Sequence, residues 1–444
     1  MKIAVIGAGI AGMGAAWLLD QGHEVTVYER NGYVGGHSNT TRSPRGTPVD
    51  TGFIVFNDWT YPNLVQLFKR LDVPVIDSDM SFAVCVEGGR YEYSGSSLAT
   101  LFGQPSNLFR PRHWRMLADL LRFYREAPKL LEASEDPSLT LGMYLSTRGY
   151  SDAFLHDHLL PMGAAIWSTE MGRIMDFPAH TFIRFCVNHG LLNVKDRPQW
   201  RTVKGGSREY VSRLTAPYRD RIRVGCPAVS VRRDGGGVAV RDAAGHEEHY
   251  DHAVLACHGD EALGLMEDAD PAEQAVLSAF RYKANRAVLH TDPRLMPKRR
   301  AVWASWSYMA YGNDGDRHSV SLTYWMNRLQ GIPDSEPLFV SLNPLVEPRP
   351  ETVIAAYDYD HPLFDTGAIL AQKQIGEIQG RNRLWFCGAH LGYGFHEDGL
   401  SSGLAVAEAL GGIKRPWTIV EKSPAGAHAT PRGGDRPGRA TLAA

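Results

Sequence analysis

Cysteine is scarce and scattered. The 444-residue chain holds five (Cys85, Cys186, Cys226, Cys257 and Cys387), none in a CxxC pair and none at metal-ligand spacing. A disulfide framework and a thiolate metal centre are therefore excluded as organising features, and no metal is expected. Isolated cysteines on apolar runs, such as Cys257 and Cys387, read as small buried residues. Long apolar runs are missing too. No stretch approaches the roughly 18 uninterrupted apolar residues of a membrane span. Excess charge is also absent: a formal net charge of -2 gives nucleic acid no electrostatic reason to bind, and none is expected as a partner. The first apolar run begins at residue 3 and is consumed by a strand, so no export signal is expected and the cysteine usage suits a reducing cytoplasm. From 421 to 444 Pro, Gly, Ala and Arg recur without periodicity, which predicts a disordered tail.

What is present is concentrated in the first thirty residues. Lys2 to Gly7 is a β-type apolar run that passes into Gly7-Ala8-Gly9-Ile10-Ala11-Gly12. A helical stretch, Ile10 to Asp20, follows; Gly22 ends it, and Glu24 to Glu29 reads as a second buried strand finishing on a carboxylate. The order strand, glycine turn, helix, strand, acid is that of a dinucleotide-binding unit. Gly7 allows the tight turn, Gly9 lets the backbone approach a pyrophosphate, and Gly12 lets the helix pack against the strand. The helix N-terminus offers unpaired N–H groups to the phosphates. Glu29, 22 residues after Gly7, is placed to accept from a ribose diol and would repel a 2′-phosphate, which disfavours NADP and leaves NAD and FAD.

Beyond Glu29-Arg30 a second glycine pair opens Gly35-Gly36-His37-Ser38. Near the far end, Arg383 to Leu410 reads as a strand, a turn at Gly388, a glycine-rich loop and a helix from about Leu400. Between them lie short strands at 221–231, 237–241 and 252–257. Together these segments resemble the flavin-containing amine oxidase superfamily. The resemblance implies FAD as cofactor, with the glycine pair against the pyrophosphate, a backbone contact near Ala228, and the last helix aimed at the flavin, where its dipole stabilises developing negative charge. By the same resemblance the cofactor contacts are Gly7, Gly9, Ile10, Ala11, Gly12, Glu29, Arg30, Gly36, His37, Ser38, Ala228, Gly388, Ala389, Glu397, Gly399 and Leu400. Three departures stand out: His37 replaces the usual Arg, Ala389 stands where an acid is common, and Asp398-Gly399 replaces Gly-Ala. The expected architecture is α/β, a doubly wound Rossmann-type FAD domain (1–57, 203–265 and 381–415) interrupted by a mixed α+β substrate domain (58–202 and 266–380).

Further signatures, Phe177-Pro178-Ala179, Asn188 to Leu192, Gly205 to Arg208, Ser321 to Asn327 and Tyr393 to Gly399, resemble a bacterial branch of NAD/FAD-binding, amine-oxidase-like proteins. Members of that branch resemble enzymes acting on fatty acyl chains, including methyl-branched ones. Many amine oxidases keep a lysine near the flavin on a substrate-domain strand. Here the comparable strand begins Asn285-Arg286, with Lys283 nearby, which counts against amine oxidation. The aromatic segments around Trp303, Trp306, Tyr308, Tyr311, Tyr324 and Trp325 read either as core or as an apolar pocket over the flavin. In 107–129 a helix sets Trp114, Leu117, Leu120, Leu121 and Tyr124 on one face, surrounded by Arg110, Arg112, Arg115, Arg122 and Arg125. It reads as an ordinary surface helix or as a peripheral contact with an anionic membrane.

The sequence thus points to an FAD-dependent oxidoreductase that removes two hydrogens from a lipophilic or phospholipid acyl substrate. An amine oxidase, a flavin-dependent isomerase and a non-catalytic lipid-binding flavoprotein are the alternatives. His396 and Tyr393 are the polar candidates for chemistry.

Overall fold

The structure, a computed structural model, describes residues 1–133, 136, 138–167, 171–311 and 319–419; the tail at 421–444 lies outside the described residues. Five strands form a parallel sheet in the order Ile222–Val224, Glu24–Glu29, Lys2–Ile6, His252–Leu255 and Leu384–Phe386. Ile3, Val5 and Val25 are fully buried, as the unbroken apolar runs require of a parallel sheet covered on both faces. The helix Ile10–Leu19 is buried at all ten positions and has no polar stripe, because the sheet lies on one side and the helix His396–Gly411 on the other. That last helix starts four residues before the expected Leu400.

A three-stranded antiparallel sheet, Ala228–Arg233, Val238–Asp242 and Glu247–Tyr250, sits between the third and fourth parallel strands in sequence. In the stretch 49–57, apolar for most of its length, only Pro48–Asp50 and Phe56–Asn57 pair as strands; Gly52 interrupts it where the chain folds onto the backbone of His37.

The other large sheet has seven strands, ordered Val353–Leu363, Arg281–His290, Phe339–Leu342, Ser319–Trp325, Trp306–Tyr311, Phe82–Val86 and Tyr91–Ser94. Register places its side chains. Lys283 pairs with His361, Asn285 with Tyr359 and Ala287 with Tyr357 and Leu342; Leu322 pairs with Leu342, and Trp306 with Tyr324 and Phe82. Paired residues share a face, and Tyr359 and Tyr357 on that face bond Thr51 and Thr41 across to the parallel-sheet unit, at 2.7 Å each. The aromatic segments therefore divide. Trp306, Tyr308 and Tyr324 share that face, with the Tyr308 hydroxyl on Met171 of the covering helices, whereas Trp303 and Trp325 pack edge-to-face on the other side with Arg300 over both rings.

Helices between 98 and 192 cover this sheet through Phe123, Phe154, Phe182, Phe185 and Trp167. The helix Pro111–Glu126 does not bury the face its apolar residues outline. It buries His113, Met116, Asp119 and Phe123, leaving Trp114 51% and Leu121 60% exposed. Both buried polar groups find partners, His113 Nδ1 with the Tyr91 hydroxyl at 2.7 Å and Asp119 accepting the Ser151 N–H at 3.1 Å, so polarity misleads about which side is inner. Among the described residues no helix is long and apolar enough to cross a membrane.

Candidate functional site

The glycine turn is built as its spacing predicts. Gly7 adopts φ 105°, and a side chain at Gly12 would lie 1.9 Å from the Gly7 carbonyl oxygen, so only glycine lets the helix start there. The N-cap, Gly9, supplies no side-chain bond to the first turn, whose N–H groups remain open to an anion. Glu29, 4% exposed, accepts the Ala8 N–H at 2.9 Å on one oxygen and the Asn31 N–H at 2.8 Å on the other. Each oxygen keeps a lone pair for a ribose hydroxyl. Arg30 pairs with Glu261. The Glu29 carbonyl takes the Cys226 N–H at 2.8 Å, which brings the strand starting at Ala228 to the same end of the sheet.

The second glycine pair is latched onto the first. Gly35 donates to the Ala8 carbonyl at 3.0 Å, and a Cβ on Gly36 would stand 3.1 Å from the Gly9 Cα. From the other side Gly388 donates to Ser402 Oγ at 3.0 Å, and a Cβ on Gly399 would meet Ile10 at 2.9 Å. The N-termini of the first and last helices thus meet, with Ala389 beside them. Two positive dipole ends converge on the carboxyl edge of a parallel sheet, which is where a dinucleotide and a negatively charged reduced ring are stabilised.

His37 lies between Tyr359 (ring centroids 4.9 Å) and His361 (5.5 Å). Burial and the neighbouring histidines His361, His258 and His396 hold it well below the ordinary imidazole range, so the position that usually carries a charged Arg is neutral here. Ser38, the Tyr210 hydroxyl and His396 Nε2 form a closed group; His396 Nε2 is 2.8 Å from each of the other two, and Ser38 and Tyr210 also bond each other. The His396 ring lies flat on Phe53 at 3.8 Å, and burial pushes its pKa down to about 3. Tyr393 donates its backbone N–H to Asp398 at 3.1 Å and packs its ring near Phe185.

Two of the expected contact residues turn their side chains elsewhere. Glu397 turns its side chain away from the turn and accepts the N–H groups of Asn63 (2.9 Å) and Leu64 (3.0 Å) and the Asn63 side-chain amide (2.8 Å). It closes the N-terminus of the helix Pro62–Arg70, leaving only its backbone toward the cofactor. Leu400 is fully buried and packs on Gly14, a core role. Phe53, Tyr210, His258 and His361 enter the site without having been singled out from sequence; the alternation Tyr357, Tyr359, His361 on one strand was the available signal. A groove of about 2650 Å³ opens behind the last helix, lined by Tyr393, Phe395, Glu397, Asp398, Asn63 and Arg184 among others. Among the described residues no cluster of His, Cys, Asp or Glu could hold a metal ion.

Fold and site together define an FAD-dependent oxidoreductase. Residues 10–338 match the family of flavin containing amine oxidoreductases, and the chain belongs to that family. It is similar to the chloroplastic/chromoplastic zeta-carotene desaturase of Capsicum annuum, 44% identical over 72 residues, a match spanning 16% of this chain and only 12% of that protein. A protein of Mycobacterium tuberculosis described as a flavin-containing monoamine oxidase is 27% identical over 258 residues, 56% of this chain and 55% of that one. Among solved structures, the CLA-producing fatty acid isomerase from P. acnes superposes with a TM-score of 0.64 at 16% identity, covering 92% of this chain and 97% of that chain; the likeness is one of fold.

Proposed function

We propose that this enzyme removes two hydrogens from a lipophilic substrate, a fatty acyl chain, drawn from a membrane surface. The observation that carries the reading is an apolar sheet face, Ala287, Leu289, Leu322, Tyr324 and Leu342, packed with Ile54, Val55 and Ala165. Such a face keeps water away from a hydride transfer, and an apolar substrate is worth about 0.8 kcal/mol for each methylene taken from water. FAD supplies the hydride acceptor; the chain's own residues bind, orient and desolvate. Asn285, on the strand where many amine oxidases keep a lysine, is fully buried and offers no amine. Trp306 Nε1, buried on the same face, has no hydrogen-bond partner among the described residues, a donor suited to a carbonyl or ester oxygen. Trp306→Phe should raise KM several-fold with little change in kcat.

The route to a membrane is the exposed outer stripe of 98–125. Leu98 is 77%, Phe109 86%, Trp114 51% and Leu121 60% exposed, and Trp114 is held in place by its Nε1–H to the Leu108 carbonyl at 2.9 Å. The charges are layered: Arg112 and Arg115 stay 56% and 60% exposed above Asp157 (13%) and Asp119 (4%). Guanidinium groups therefore face outward around an apolar stripe, as an anionic bilayer requires. The full chain should cosediment with phosphatidylglycerol vesicles and less with phosphatidylcholine, and Phe109→Ser/Trp114→Ser should weaken this more than tenfold; undiminished binding by that variant sinks the membrane route.

Mass spectrometry of acyl lipids incubated with the enzyme and an electron acceptor tests the reaction. A product two mass units lighter supports dehydrogenation. A shifted double bond at unchanged mass would favour an isomerase, the reading to which the shared fold with the fatty acid isomerase lends weight. Turnover of amines alone would return the protein to amine oxidation.

A further inference from the structure

A chain of side-chain amides fixes which nitrogen of His361 carries its proton. The backbone N–H of Arg286 can only donate, and it donates to Asn343 Oδ1 at 3.0 Å; the Asn343 N–H returns a bond to the Arg286 carbonyl at 2.8 Å. The other end of Asn343, its Nδ2, therefore donates to Asn285 Oδ1 at 2.8 Å. Asn285 is pinned a second time, because its Nδ2 donates to the Lys283 carbonyl at 3.0 Å and a carbonyl can only accept. The same Nδ2 lies 3.1 Å from His361 Nδ1. Both backbone anchors give one polarity: Nδ1 accepts, and a neutral ring holds its hydrogen on Nε2.

The surroundings give this assignment a use. Asn285 is fully buried, and Asn343 holds a left-handed backbone with φ 46°, a conformation asparagine tolerates better than most residues and one that aims its amide at Asn285. The His361 ring packs against His37, next to the second glycine pair. Burial holds His361 down to about 4; the residue as a whole is half-buried. Among the described residues Nε2 makes no hydrogen bond.

We propose that Asn285 and Asn343 are positioning residues that hold His361 as the Nε2–H tautomer, so that the site presents a fixed neutral N–H donor, not a base, to an acceptor atom of the bound flavin or of the substrate. This inference rests on the family's cofactor and not on the acyl-chain reading, and it survives if the substrate proves to be an amine. The donor stabilises electron density that grows on its partner without giving up a proton.

Long-range ¹H–¹⁵N correlation of ring nitrogens in ¹⁵N-histidine-labelled holoenzyme reads the tautomer, with the His361→Gln spectrum assigning the peak. The wild type should show only the Nε2–H form of His361 between pH 6 and 8. Asn285→Asp, which replaces the donor by an acceptor, should convert the ring to the Nδ1–H form or to imidazolium. An Nδ1–H wild type, or an Asn285→Asp spectrum unchanged at His361, overturns the proposal. If Asn285→Asp does not fold, Asn343→Asp serves as the second variant. The Nε2 signal should also move on adding FAD to apoprotein if the flavin is the acceptor, or on adding oleate to holoenzyme if the substrate is; no movement in either titration contradicts a donor role. His361→Gln, whose amide can replace the donor, should retain the flavin potential and kcat/KM within about threefold, and His361→Phe should lose both.

Discussion

At His396 the nitrogen that a general base would use is shared between the Ser38 and Tyr210 hydroxyls, and the ring face is covered by Phe53. Pushed down to about 3 by burial, the imidazole has little appetite for a proton near neutrality. Its visible work is to tie the second glycine loop to the first turn of the last helix. His396→Ala should therefore weaken FAD retention by about tenfold, read by equilibrium dialysis or flavin fluorescence, while the pH–rate profile keeps its shape. Loss of a titration limb with FAD affinity intact would show that His396 moves a proton after all. Ser38→Ala should cost about 1 kcal/mol of stability, the net worth of one such bond.

Among the elements, the helix Pro62–Arg70 depends on a residue more than three hundred positions away. Glu397 satisfies its first two N–H groups, and Asn63 in turn accepts from Arg415 at 2.8 Å and Trp417 at 3.1 Å. Glu397→Ala leaves buried donors unpaired and should lower unfolding free energy by about 2 kcal/mol, seen as a reduced urea midpoint; Glu397→Gln, which keeps one acceptor oxygen, should lose less. The strand–turn–helix at the start was readable because every determinant lies within thirty consecutive residues: apolar runs, glycines at fixed spacing, and the acid at the strand end. The convergence of Gly399 on Ile10 was readable only through the resemblance, since no local pattern encodes it. Which side of the helix Pro111–Glu126 faces inward was left open by the sequence, because His113 and Asp119 go inward only once partnered by Tyr91 and Ser151. The His361 network was invisible for a similar reason. Its members meet across sequence separations of 76 and 58 residues, and their order follows from sheet register, which composition and periodicity do not fix.

Across the whole molecule, buried histidines govern the response to acid. His158, His189, His290 and His361 are held down to about 4, and His390 and His396 to about 3, in each case chiefly by burial. The unfolded chain takes up these protons near pH 6.5, whereas the folded chain does not. Stability is thus fully present above about pH 7 and is lost as pH falls through 6.5 toward 4. Asp50 and Glu397, raised by burial to about 6 and about 7, pull the other way but are outnumbered. Differential scanning calorimetry should show Tm falling between pH 7 and 5; a flat or rising Tm would mean that these rings are charged in the folded state.

In the proposed reaction the site accepts electrons from an acyl chain. Its most direct test is an anaerobic titration of the holoenzyme with acyl phospholipids while the visible flavin band is followed. The band should bleach in proportion to lipid added, with putrescine and cyclohexylamine leaving it unchanged. A band that persists with every acyl lipid and bleaches with an amine would contradict the proposed reaction.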